Sequence, residues 1–350
     1  MRGLLVAWLF GVGLATASPR EPELRRFEFT QVEMAVPIRI VLYAKDGDTA
    51  SAAASLAFAR FHALNAIMSD YDEHSELNRL CHTAGSGKAV NVSGDLWNVL
   101  ACAQELSARS AGAFDVTVGP AVRLWRRARR RKELPSSEQI AAARQVMGYR
   151  LVRLDPAHRT VELLKAGMQL DLGGIAKGYA VDEALAVLHK ANITRALVDA
   201  GGDLGLGDPP PDQPGWRIAL TPLDDATPTQ YLILSRVAVS TSGDNVQFVE
   251  LAGRRYSHVI DPRTGMALSD HCRVTIVMPN GMMADGLCKV VAVLGPEKGV
   301  KLIDAMPDAA TLILRAPEGK VQQYQSSRWK DLPVVAAAAD HAKKPATNAP

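Results

Sequence analysis

Apolar residues recur along this chain with two periods, and the succession of the two predicts a mixed α and β fold, α+β in class. Ile38-Arg39-Ile40-Val41-Leu42-Tyr43 has the apolar, β-branched character of a strand. The Ala-rich stretch from Thr49 to Met68 places its apolar residues at helical spacing, and a second helix is predicted from Gly94 to Ser110. Pro135-Ser136-Ser137-Glu138 offers a helix start with Ser and Glu in capping-box order. Short strands are predicted at Leu151 to Leu154, Thr160 to Leu164, Ala196 to Asp199 and Trp216 to Leu220, with a helix from about Ala176 to Ala191 among them. Met283 to Gly295 reads as an apolar helix with Asp285 in its first turn. No segment repeats at a fixed period.

The two ends depart from this pattern. Arg2, the apolar run from Leu4 to Ala15 and the small-residue site Ala15-Thr16-Ala17 have the layout of a secretory signal peptide over residues 1–17. The run is short of the ~20 apolar residues that a spanning helix needs; an uncleaved anchor is the other reading. No cysteine follows the site, so a lipid anchor is not indicated, and export to a bacterial periplasm is expected. Residues 334–350, rich in Ala, Lys and Pro, are expected to form a disordered tail, which leaves 18–333 as the folded unit.

With 350 residues, 47% of them hydrophobic, the chain can bury one large domain or two interlocked lobes. Forty Lys+Arg against 37 Asp+Glu give a net charge of +3, too little to argue for a nucleic-acid partner. The basic run from Arg123 to Lys132 is read first as a solvated loop or helix face, and second as a patch for an acidic partner or a membrane surface. Cys81, Cys102, Cys272 and Cys288 lack C-x-x-C spacing, so they mark neither a zinc site nor a redox motif.

Four segments carry candidate chemistry. In Asp171-Leu172-Gly173-Gly174-Ile175-Ala176-Lys177, a strand ends in paired glycines and a helix begins. Backbone N–H groups there can approach phosphate oxygens, and Lys177 adds a positive charge, although tight turns use the same residues more often. Gly201-Gly202 follows a second apolar strand and suits either the same ligand or a hairpin. His258 and Asp261 flank a turn beside Arg263, equipment for a general base with a nearby partner for phosphate or carboxylate; a lone His at a turn is more often structural. Asp285 and Lys289 stand four apart on a helix, where an ion pair is the plain reading.

Taken in order, these segments resemble the ApbE family of FAD:protein FMN transferases across roughly residues 30 to 315, together with Met68-Ser69-Asp70-Tyr71, Ser75-Glu76-Leu77, Ala113 to Pro120 and Leu124-Trp125. The resemblance implies an ApbE-like fold of two interlocked lobes with mixed sheets and FAD in the cleft between them. It implies transfer of FMN from FAD through a phosphodiester bond to a Ser or Thr of an exported or membrane redox protein, around a Ser/Thr-Gly-Ala-Ser/Thr motif, with AMP leaving. Met34, Tyr71, Ala113, Phe114, Asp115, Asp171, Lys177 and Val259 match FAD-contacting positions, with His258 as base steadied by Asp261.

The same resemblance implies a magnesium ion held by Asp285, by the Gly174 carbonyl and by a Thr four residues after the Asp. Lys289 stands at that last position, and a protonated ammonium cannot ligate a dication. Met34-Ala35-Val36 also replaces the usual Met-Gly-Thr, and Asn245 stands where an aromatic is common. Two further uses of such a site follow: an accessory protein that holds FAD without catalysis, and an FAD pyrophosphatase, against which Tyr71 argues.

Overall fold

The computed structural model describes residues 23–223, 230–243 and 248–336. The expected signal peptide, the tail beyond residue 336, and Asn245 lie outside the described residues.

Eight α-helices occur among them: α1 (Gly47–Met68), α2 (Glu76–Cys81), α3 (Gly94–Arg109), α4 (Gly119–Arg131), α5 (Ser137–Arg144), α6 (Ala176–Lys190), α7 (Gly281–Leu294) and α8 (Pro296–Asp304). The main sheet has eight strands, in the order Arg25–Glu33, Val36–Ala44, Ala196–Ala200, Asp203–Leu206, Val237–Gly243, Cys272–Met278, Ala310–Arg315 and Gln322–Gln325. The expected mixed α and β class holds, and every strand pair among the described residues is antiparallel, in the smaller sheets as in the main one.

Period-two alternation sorts the main sheet's side chains between two cores. Ile38, Ile40, Leu42, Val198, Val274, Ile276 and Ile313 join the large core with α1, α3, α6 and α7. Their neighbours Val41, Leu197, Val277 and Leu312 face the other way, onto Trp216, Ile218, Leu232 and Leu234 of a small sheet. That small sheet includes Val334–Ala336, paired with Gln230–Leu232, so the expected tail begins as a strand. A third core joins Trp125 and Ala128 of α4 to Val249, Leu251, Tyr256 and Ile260.

Local corrections trace to capping. The first long helix begins at Gly47, two residues before the expected start, because the Asp46 side chain accepts from Thr49 N at 2.8 Å. In α5 the capping-box partner of Ser136 is Gln139 rather than Glu138: Ser136 N donates to Gln139 Oε1 at 2.9 Å. Asn280 caps α7 upstream of the expected start, which puts Asp285 in the second turn. The four cysteines are free thiols.

Two contacts place the site. At Gly178 a Cβ would lie 2.1 Å from the Gly281 carbonyl oxygen, so only glycine lets α6 and α7 approach this closely. The Met34-Ala35 turn has both residues at positive φ, 49° and 62°, the geometry of a two-residue hairpin loop that favours glycine. Replacing Ala35 with glycine is expected to stabilise the fold by about 1 kcal/mol, read from the urea midpoint; an unchanged or lower midpoint contradicts the strain.

Candidate active site

A cavity of about 1130 Å³ opens between the main sheet with α6 and α7 on one side and α4 with the His258 segment on the other. Its size is at the upper end for small-molecule sites and suits a dinucleotide. Of the residues expected at the site, Met34, Tyr71, Ala113, Phe114, Asp115, Asp171, Gly174, Lys177, His258, Val259 and Lys289 line it. Asp285 lies behind Lys289, fully buried.

Two ion pairs, each of a buried carboxylate and a partly buried lysine, lie at α6 and α7. Lys177, in the first turn of α6, is paired with Asp203, whose other oxygen accepts from Ser240 Oγ at 2.5 Å. Lys289 is paired with Asp285, which also accepts from Gly178 N at 3.1 Å. Burial alone would push the Asp285 carboxyl up, but Lys289 and Lys177 outweigh it and hold it below the usual carboxylate range. Burial likewise pulls both ammoniums down, and Asp203 and Asp285 reverse that, leaving each raised and charged.

These residues do not fit a divalent cation. The oxygen that would ligate a metal, on Asp285, is engaged by the Lys289 ammonium, which has no lone pair to offer. The Lys289 stem packs against Gly174, with its Cγ 3.4 Å from where a Cβ at Gly174 would lie. Among the described residues, no group of three His, Cys, Asp or Glu side chains could hold a metal.

Opposite the lysines, Arg126 of α4 reaches Asp70 and donates to Asp171 Oδ2 at 3.1 Å, with its guanidinium 4.3 Å from the centre of the exposed Tyr71 ring. Asp171 also accepts from Gly173 N at 2.8 Å, so this amide, expected to meet phosphate, is already engaged. Burial, then repulsion from Asp70, raises the Asp171 carboxyl above its ordinary range despite Arg126. Asp115 is held by Thr117 N at 2.8 Å and by Tyr149 N at 2.6 Å, which fixes the Ala113 to Asp115 wall; burial still pushes its carboxyl up.

His258 and Pro262 line the cavity. The backbone around the histidine is pinned on both sides: Ser257 N donates to Leu268 O at 2.7 Å, and Leu268 N donates to Val259 O at 2.9 Å. Both oxygens of Asp261 are taken by Arg263, whose Nε and Nη2 each donate at 2.9 Å. Asp261 therefore braces the turn that carries His258, and Arg263 finds its anion in Asp261 rather than in a phosphate.

Sequence reasoning missed Arg126, Asp70 and Asp203 as parts of the site. Arg126 was hidden in the basic run, although its place directly after the buried Trp125 was a usable signal. Asp203 follows the Gly201-Gly202 turn, whose glycines have φ of 65° and 101°, so this pair makes a hairpin and lines the cavity as well.

A half-open cleft of dinucleotide size, lined by a histidine and two ion-paired lysines, suits a group-transfer enzyme, and the relatives of this chain are named for flavin transfer. The chain belongs to the ApbE family, whose model matches residues 34–313. A Haemophilus influenzae FAD:protein FMN transferase is 33% identical over 277 residues, 77% of this chain and 80% of that protein. One from Treponema pallidum is 32% identical over 89% of this chain and 90% of its own length. Among solved structures, the Vibrio cholerae flavin transferase ApbE superposes with a TM-score of 0.79 at 26% identity, over 89% of this chain and 100% of that one. The apo Pseudomonas stutzeri flavinyl transferase ApbE gives 0.79 at 29% identity, over 88% and 97%.

Proposed function

We propose that this chain transfers the FMN half of FAD to a Ser or Thr hydroxyl of an exported redox protein and releases AMP. The observation that carries this reading is one cavity lined by both His258 and the ammoniums of Lys177 and Lys289. The acceptor oxygen bonds to the FMN-side phosphorus while the bridging P–O bond breaks. The hydroxyl proton passes to His258, and the bond's electron pair leaves with AMP. Tyr71, Met34, the Ala113 to Asp115 wall and Val259 enclose the flavin nucleotide; Asp261 and Arg263 keep His258 in place.

Lys177 and Lys289 hold the diphosphate without a divalent cation. Two ammoniums against two carboxylates leave their cluster neutral, whereas one ammonium and a dication would leave it with a positive charge. Binding therefore survives metal removal, and the chemistry is slower than a metal site would give. The leader-like residues 1–17 support export to the periplasm, where a redox acceptor carrying a Ser/Thr-Gly-Ala-Ser/Thr motif would be met.

The test is stoichiometry. With FAD and an acceptor peptide bearing that motif, AMP should appear in equal amount to flavin on the peptide, and neither should form when the acceptor hydroxyl is removed. AMP with free FMN would make the chain a pyrophosphatase. FAD bound and never consumed would make it a flavin-holding accessory, the reading that the neutral lysine cluster favours next.

A further inference from the structure

The basic run forms α4, and its arginines are sorted by face. Arg123, Arg127, Arg130 and Arg131 follow i, i+4, i+7, i+8 spacing and are exposed. Arg126 and Arg129 continue the same arc into the cavity lining. Among the described residues, none of Arg123, Arg127, Arg129, Arg130 and Arg131 takes part in an ion pair. Arg129 Nε is buried with no hydrogen-bond partner there. Cations at a helix C-terminus offset its dipole, which accounts for the last turn but not for Arg123 and Arg127. Like charges at i, i+4 oppose the helix, so the arc is a field maintained against local stability.

Its position says what that field meets. The opposite side of α4 is the floor of the His258 segment: Trp125 Nε1 donates to Gly265 O at 2.9 Å, and Trp125 and Ala128 pack with Tyr256 and Ile260. Arg126 and Arg129 line the same cavity as His258, so the arc runs from the cavity's own lining onto the exposed face of α4.

We propose that the outer face of α4 docks an acidic segment of the acceptor protein, next to its modified Ser or Thr. This rests on the transferase reading for the acceptor's identity, and on α4 itself for its charge. Complementary charge at a site's mouth raises encounter rates and selects the partner. The whole-chain charge of +3 gives no such general attraction, so the selection is local.

The test uses the full chain with bound FAD and fluorescent Ser-containing peptides flanked by Glu or by Lys, read by anisotropy at low and physiological salt. Vesicles with and without anionic lipid are run in parallel. The Glu-flanked peptide should bind at least tenfold more tightly than the Lys-flanked one. The Arg127→Glu/Arg130→Glu double variant should lose that preference while retaining FAD. Equal binding of the two peptides, a preference unchanged in the double variant, or an arginine-dependent affinity for anionic vesicles in place of the peptide would overturn it. Because binding is read apart from chemistry, a peptide that binds but never acquires flavin would count against the transferase reading and not against the docking face.

Discussion

Replacing His258 with alanine is expected to lower flavin transfer by a factor of about 10² to 10⁴, the usual worth of a positioned base. FAD affinity should change by no more than a few fold, because Lys177 and Lys289, the groups proposed to hold the diphosphate, are left in place. The loss should fall on kcat rather than on the KM for FAD, since proton removal strengthens only as the acceptor oxygen attacks. The flanking backbone keeps its own hydrogen bonds, between Ser257 and Leu268 and between Leu268 and Val259. Transfer within tenfold of wild type would show that the proton leaves by another route.

The second large effect is expected at Lys289. In Lys289→Thr, fully buried Asp285 loses the ammonium that neutralises it, and breaking such a pair costs about 3 kcal/mol or more. The threonine hydroxyl supplies an oxygen where the ammonium had none, so the variant should gain a divalent site from Asp285, the Gly174 carbonyl and the new hydroxyl. Magnesium at about 100 times its Kd would then return about 2.7 kcal/mol, read as a higher melting temperature. Wild type should melt at the same temperature with and without magnesium. A wild type that magnesium stabilises as much as the variant would mean that Lys289 does not occupy the metal's place.

Much of this was readable from residue order. The strand at Ile38 to Tyr43 and the helices ending near Met68 and Ser110 appear almost as the periodicity predicts, because the helices each bury an apolar face and the strand's alternate residues enter two cores. The boundaries that moved are those set by a single capping side chain: Asp46 and Asn280 choose where a helix begins, and several nearby residues could have done so. The plain i, i+4 reading of Asp285 and Lys289 proved to be the geometry that argues against a metal. Pairings across the fold were not readable. That Lys177 pairs with Asp203, and that Arg126 leaves the basic run to meet Asp70 and Asp171, depends on which surfaces meet, which no local spacing encodes.

The most direct measurement is the mass of an acceptor peptide after incubation with FAD and this protein, once in chelator and once in magnesium. The account predicts FMN on the peptide, with matching AMP, at the same rate in both. FMN that appears only with magnesium would contradict the role given to Lys289, and intact FAD in both would contradict transfer itself.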